Sequence, residues 1–302
     1  MNYVIIDLEF NNMREIDKYY PDYYNEHPEY ENIKCPNEII EIGAVKLDRT
    51  MKQMDTFKVY IKPEIFSFLN PRITEITGIE TKDLDEGTNF YNAMEMFINF
   101  VGQDVIIGSW AKDDIVELIR NADYYNYKNL DWLKEYIDIQ EYCTKVLAQK
   151  KPISLKNALD RFYIRIKKDL HDALNDAVYT AEVFKRIYND RIVKSYIIRD
   201  IKNMPSIEIR DYSNFKLDES KIDESCPKCS SHIYMEYPLK LFGWRFIGLG
   251  SCEKCSSKVL QKIVVKQTLA GDKVYVENKR LISEREYLDY IYQIENNRIV
   301  NE

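Results

Sequence analysis

Residues 3–10 read YVIIDLEF, a run apolar enough for a buried strand except at Asp7 and Glu9. In a strand, residues two apart share a face, so Tyr3, Ile5, Asp7 and Glu9 line one side and Val4, Ile6, Leu8 and Phe10 the other. Both sides begin apolar, which predicts a strand covered on both faces, as in an α/β protein. The two acids then fall at the strand's C-terminal end, where open α/β sheets leave a crevice for ligands. A strand that merely emerges into solvent also turns polar there, so the pair alone does not decide between the two.

Residues 11–37 hold Tyr19, Tyr20, Tyr23, Tyr24 and Tyr30 among acids and three prolines. This is too broken for a regular element and predicts a long insertion. Two strand-like stretches follow, NEIIEIGAVKLD (37–48) and DTFKVYIKP (55–63), and they are expected to pair antiparallel. Helical spacing from Tyr91 to Val101, a buried strand over 104–110 and a helix over 113–122 come next. A short strand around Ile137 and Ile139 precedes helical patterns over 154–162 and 173–188. In the last of these Leu174, Val178, Ala181, Phe184 and Tyr188 form the expected buried stripe. The order predicts a mixed sheet flanked by helices, an α/β fold. Past Val193 the pattern weakens, predicting a domain over 1–192, a linker over 193–224 and a second domain over 225–302 that ends in a helix.

The length of 302 residues suits two such domains, and 45% hydrophobic with 31% charged residues is the composition of a soluble globular protein. Nine Gly and nine Pro count against long disordered or collagen-like stretches. No segment reaches the roughly 18 apolar residues of a membrane span and the start shows no leader pattern, so no membrane partner and a cytoplasmic location are expected. The net charge of −7 is unevenly spread: residues 1–220 carry 30 Lys and Arg against 39 Asp and Glu, residues 221–302 carry 13 against 11. An acidic domain resists nonspecific nucleic-acid binding unless cations or a local basic patch supply positive charge.

Two further stretches carry acids at helix starts. In GSWAKDD (108–114), Asp113 and Asp114 lie where strand passes into helix. In HDALNDA (171–177), His171 precedes the helix and Asp176 lies in its first turns. Each has a plain reading, since an acid caps a helix and a loop histidine needs no task. Together with the first strand, however, they can bring Asp7, Glu9, Asp114 and Asp176 to one edge of the sheet. Four close carboxylates repel unless some protonate or cations lie among them, and hard Mg²⁺ prefers such oxygen ligands.

The three stretches in this order resemble the motifs of the DEDDh branch of the DnaQ-like 3′–5′ exonucleases. NEIIEIGAVKLD, NPRITEITGI (70–79) and SLKNAL (154–159) match supporting segments of that family. The resemblance covers residues 1–190 and implies a ribonuclease-H-like mixed five-stranded sheet flanked by helices. It also implies catalytic Asp7, Glu9, Asp114, His171 and Asp176, with two Mg²⁺ or Mn²⁺ on the four carboxylates and His171 as general base releasing nucleoside 5′-monophosphates. Alignment of Ser109, Trp110 and Leu118 selects Asp114 over Asp113. The DLEF form and the Ser-Trp pair are most similar to KapD-type bacterial proteins and the histone-mRNA 3′ exonuclease, which favours single-stranded RNA as partner. A DNA exonuclease of repair or proofreading is the alternative enzyme, and a non-catalytic binding factor the alternative outside enzymes. Phe10 and Trp110 are candidates to stack on substrate bases, although aromatics are commonly core.

Late in the chain CPKC (Cys226, Cys229) and CEKC (Cys252, Cys255) have the spacing of a four-thiolate Zn²⁺ site, and this part resembles a small zinc ribbon. With all four ligands from protein, one structural Zn²⁺ is expected. Lys228, Lys240, Arg245, Lys254, Lys258, Lys262 and Lys266 interleave here with Tyr234, Tyr237, Phe242, Trp244 and Phe246. The pattern suits either single-stranded nucleic acid or a ribbon whose aromatics are its own core. A protein partner for this domain is the further alternative.

Overall fold

In the computed structural model of the protein, which describes residues 2–31, 33–208 and 215–296, the opening run is strand β1 (Asn2–Asn11). A short helix α1 (Tyr23–Glu26), the strands β2 (Glu38–Leu47) and β3 (Gln53–Tyr60), and the helices α2 (Pro71–Thr77), α3 (Thr81–Asp85) and α4 (Phe90–Val101) follow. Then β4 (Val105–Ser109), α5 (Asp113–Tyr124) and β5 (Tyr136–Asp138) alternate. The helices α6 (Ile139–Val146), α7 (Leu155–Arg161), α8 (Ala173–Ile187) and α9 (Asp190–Val193) and the strand β6 (Ile197–Ile198) complete the first of two units, Met1–Ile201.

The sheet runs β3-β2-β1-β4-β5-β6, with β1, β4 and β5 mutually parallel and the remaining neighbours antiparallel. It has six strands where five were expected. The sixth is two residues long, too short for any alternating pattern, and falls where the sequence suggested linker. Val4, Ile5 and Ile6 are fully buried, as a central strand covered on both faces requires. Each such side chain contributes about 1.5–3 kcal/mol of burial. Tyr3 and Ile5 pack in one core with Ala177 and Phe184 of α8, with the Tyr3 and Phe184 rings 5.1 Å apart. Phe57 of β3, which the register places on the opposite face with Ile6, meets Phe97 of α4 at 5.6 Å. The face carrying Asp7 and Glu9 is therefore the face covered by α8.

Local signals set the helix ends. Asn70, Asp138, Ser154 and Asp172 each accept a hydrogen bond from the first turn of α2, α6, α7 and α8 respectively. Gly78, at φ +74°, ends α2 in the left-handed conformation that suits glycine. Of the expected stripe of α8 only Ala181 and Phe184 are fully covered, Leu174, Val178 and Tyr188 being half-buried against the same core, and the buried face is instead completed by Ala173, Ala177, Tyr179, Thr180, Val183 and Ile187.

Two expectations change. The insertion is ordered around Met13, Ile16, Tyr23, Cys35, Ile65 and Phe66, with α1 and two 3-10 turns. Its hydrophobic partners come from residues 65–68, which local periodicity cannot show. The suggested linker contributes β6 to the first unit, and the second unit, Lys202–Glu302, begins with β7 (Pro205–Glu208). Asn32 of the insertion, residues 209–214 of the expected linker and residues 297–302 of the expected C-terminal domain lie outside the described residues.

The second unit continues with β8 (Ile233–Phe242), β9 (Arg245–Cys252), β10 (Lys258–Thr268), β11 (Lys273–Ile282) and α10 (Glu284–Glu295). Its sheet runs β11-β10-β9-β8, with β7 also on β10. On one face Tyr287, Tyr290 and Ile294 of α10 join Phe242, Ile247, Leu249 and Leu260. Phe246, one residue before Ile247 and so on the other face, packs with Ile263, Val265, Phe215 and Leu217. Among the described residues no helix is long and apolar enough to cross a membrane.

The seating of α8 depends on Gly43 of β2, which pairs with Asp7. A Cβ at Gly43 would overlap the backbone of Ala173 and Leu174. Gly43→Ala is accordingly expected to cost about 1–3 kcal/mol, the scale of overpacking, read as a lower thermal midpoint. A midpoint matching wild type would show that α8 does not need this close approach.

Candidate active site and cysteine cluster

Asp7 and Glu9 emerge from the end of β1 beneath the first turn of α8. Glu9, His171 and Asp176 offer ligand atoms that all lie within 4.8 Å of one another. Asp114, at the start of α5, is tied to β1 by a hydrogen bond from the Leu8 backbone N–H to its Oδ1, at 3.2 Å. Asp176 Oδ2 accepts from the His171 backbone N–H at 3.2 Å, while its buried Oδ1 has no partner among the described residues. His171 is exposed and holds a left-handed backbone, φ +68°, which turns the loop back over the strand end. The five expected residues thus converge from β1, α5, α8 and the loop that leads into α8.

The carboxylates press on one another. Asp7 is raised well above the usual range by burial and then by Asp114, Glu9 and Asp176. Glu9 is pushed up to about 8 by burial and then by Glu41, its partner across the β1–β2 pair. Asp114 reaches about 8 through burial and the adjacent Asp113, against the pull of its bond from Leu8. Burial also raises Asp176, against hydrogen bonding from His171. Crowded acids that resist ionisation, with a buried unpaired oxygen among them, fit a divalent cation, whose charge reverses their mutual cost.

A charge relay escaped the sequence reading. Glu41 has a side chain only 1% exposed, and Lys58 of β3 reaches it at 2.6 Å and Asp172 at 2.6 Å. Burial disfavours the Lys58 charge, but its bonds to Asp172 and Glu41 outweigh this and raise its pKa. Asp172 caps α8 and neighbours His171, so one lysine both neutralises the acid facing Glu9 and holds the histidine loop. The available signal was Glu41 itself, a charge inside an apolar strand.

Phe10 is half-exposed beside Glu9, whereas Trp110 is buried in the main core with its indole N–H unpartnered among the described residues. Of the two proposed base contacts, only Phe10 stands at the surface.

In the second unit the Sγ atoms of Cys226, Cys229, Cys252 and Cys255 lie within 4.8 Å of one another. Cys226 and Cys255 are 3.8 Å apart and Cys229 and Cys252 3.4 Å, near the edge of roughly 3.8 Å set by Zn–S bonds of about 2.3 Å in a tetrahedron. Both CxxC turns repeat one geometry. Ser230 and Ser256 are left-handed, and each donates its N–H to the carbonyl of the first cysteine, at 2.9 Å in both. Hydrogen bonds at Ser257 pull Cys255 down to about 6. Cys252 stands at about 11 despite its bond from the Cys255 backbone, because burial and then its bond with Cys229 favour the protonated thiol. Phe242 and Phe246 belong to this unit's core, while Tyr234 is 62% exposed. Lys258 and Lys262 lie over Tyr287 and Tyr290 at 4.3 and 5.4 Å. The aromatics are therefore divided between core and surface.

Residues 4–184 match the RNase_T family, described as Exonuclease. The chain is 27% identical over 177 residues to DNA polymerase III subunit epsilon of Aquifex aeolicus, covering 57% of this chain and 82% of that protein. It is 22% identical over 211 residues to human ERI1 exoribonuclease 2, covering 60% of this chain and 30% of that longer protein. Among solved structures, the nuclease domain of 3′hExo, a DEDDh family member bound to rAMP, superposes with a TM-score of 0.52 at 21% identity. That match covers 62% of this chain and 90% of the domain. The six-stranded unit thus has the ribonuclease-H-like exonuclease fold.

Two outcomes follow from this geometry. Glu9 and Asp114 hold protons near pH 8 that the unfolded chain releases near 4.5 and 3.8. Between those limits the folded state binds more protons, so stability of the protein free of Mg²⁺ falls as pH rises. In thermal melts, added Mg²⁺ is expected to raise the midpoint more at about pH 8 than at about pH 6; an equal gain would separate these acids from cation binding. For the cysteines, metal analysis should find one zinc per chain. Release of that zinc by a mercurial should abolish hydrogen-exchange protection in β8, β9 and β10, whereas retained protection would make the metal dispensable.

Proposed function

The chain belongs to the RNase_T exonuclease family, and on that premise we propose that it removes nucleoside 5′-monophosphates from the 3′ end of single-stranded RNA. It is a DEDDh 3′–5′ exonuclease acting on nucleic acid. The observation that carries the reading is the convergence of Glu9, His171 and Asp176 beside Asp7 and Asp114. In this reading Asp7, Glu9, Asp114 and Asp176 hold two Mg²⁺ or Mn²⁺ ions, which supply positive charge against the scissile phosphodiester and make an attacking water more acidic.

The chain's own groups do the rest. Glu9 orients the water from the strand end, and an imidazole nitrogen of His171 accepts its proton. His171 is exposed, so the proton passes on to solvent. The left-handed turn at His171 and the Lys58–Asp172 pair hold that ring over the carboxylates. Phe10 lies against the terminal base. The four cysteines hold a Zn²⁺ that keeps the second unit folded.

RNA is favoured by the ERI1 exoribonuclease relative and by the Asp7-Leu8-Glu9-Phe10 and Ser109-Trp110 forms. Similarity to the epsilon subunit supports DNA as the second reading. Incubating 5′-labelled single-stranded RNA and DNA with Mg²⁺ tests both. A ladder shortening from the 3′ end, faster on RNA and reduced at least about 100-fold in Asp176→Asn, is expected from the loss of a metal-ligating carboxylate. Faster loss of DNA would reverse the sugar preference, and no cleavage with Mg²⁺ or Mn²⁺ would refute the exonuclease reading.

A further inference from the structure

The ordered insertion encloses a second feature that the carboxylate site does not use. A cavity of about 460 Å³ lies between the insertion and the segment before α2, walled by Tyr20, Tyr23, Glu26, His27 and Phe68 and reaching Thr81 at the start of α3. Its size falls in the range of small-molecule pockets. The walls are largely aromatic: Tyr20 meets Phe68 edge-on at 5.4 Å, Tyr23 meets Phe68 edge-on at 5.7 Å, and His27 lies tilted 4.8 Å from Tyr23. Tyr20 nonetheless keeps nearly half its surface exposed, at 47%. The buried Tyr23 hydroxyl has no hydrogen-bond partner among the described residues, an uncommon state for a polar group in a core.

This cavity is joined to the strand that carries Glu9. Asn11, two residues past Glu9, donates from Nδ2 to the Phe68 carbonyl at 2.9 Å and accepts from the Asn70 N–H at 3.1 Å. Two residues of strand span about 6.6 Å, so the Phe68 wall stands within a few nucleotides of the carboxylates. Among the described residues no lysine or arginine lines the cavity, and Glu26 does. That charge rejects a phosphate. It accepts a hydrogen bond from the exocyclic amino group of a base.

We propose that the cavity takes a nucleobase of the substrate strand upstream of the scissile nucleotide, stacked on Tyr20 and His27, with amino-bearing bases preferred. The proposal rests on the exonuclease reading for the strand's direction, but its test reads binding without cleavage. Single strands carrying 2-aminopurine at successive positions from the 3′ end are mixed with full-length protein and Ca²⁺ in place of Mg²⁺. Quenching is expected at one internal position, and Tyr20→Ala should abolish it and weaken binding about tenfold, the scale of one lost base–aromatic stack. The double variant Tyr20→Ala/His27→Ala should weaken it further, while cleavage of a dinucleotide, too short to reach the cavity, stays at the wild-type rate. Quenching at no position, or quenching that survives both variants, would overturn the assignment. Equal quenching of free 2-aminopurine riboside would also overturn it, since the cavity would then be a nucleoside site independent of the strand. Wild-type binding with this pattern but no hydrolysis in Mg²⁺ would sink the exonuclease reading alone.

Discussion

The close approach of α8 to the sheet at Gly43 is the constraint on which the first unit depends. A helix covering a strand normally stands off by the length of the side chains between them. Here the backbone of Ala173 and Leu174 occupies the place where a side chain would be. The approach brings the helix N-terminus down beside Asp7, the partner of Gly43 across the strand pair. Asp176 and the preceding His171 reach Glu9 for that reason. A helix seated higher would leave the acids of β1 and the acid of α8 as separate surface charges.

Such proximity carries an electrostatic cost that the protein meets in two ways. The partial positive charge of the helix start and the backbone N–H groups of Leu8 and His171 favour ionised Asp114 and Asp176. Lys58 is shared by Glu41 and Asp172 behind the site, so the field at Glu9 is less negative than Asp7, Asp114, Asp176, Glu41 and Asp172 would make it alone. The rest is left uncompensated, as the upward shifts of Asp7, Glu9 and Asp114 record. An affinity for divalent cations is the counterpart of that remaining strain. The cysteine cluster follows the same logic with softer atoms: four sulfurs within 4.8 Å of one another form a donor set that suits a thiophilic ion.

Much of this was legible in the chain. Continuous apolar runs placed β1, β2 and β4, period-two alternation placed β3, and helical spacing placed α4, α5 and α8, because each pattern reports how its own element is buried. The acids at strand ends and helix starts, together with the resemblance of their motifs, singled out the residues that the fold brings together. The paired CxxC turns likewise marked the cysteines that now stand within 4.8 Å. The helix α3 and the strand β6 are too short to show a period. The helix α6 begins at Ile139, whose apolar stretch reads as strand because β5 runs straight into the helix, and α2 is matched only as part of the NPRITEITGI segment. Trp110 was read for its chemistry, yet it is covered by residues scattered along the chain from Tyr3 to Val193.

What the sequence determined by itself was therefore the longer elements of the first unit and the residue types able to hold cations, because both are written in local periodicity and local chemistry. The tertiary structure decided which acids crowd one another and what offsets them. Lys58 meets Asp172 across 114 positions of chain, and Leu8 meets Asp114 across 106. It also turned the tyrosine-rich insertion from a broken stretch into the wall of a cavity, through partners at Phe66 and Phe68. Contacts of that separation leave no periodic trace, because their energy is set by the seating of one element on another.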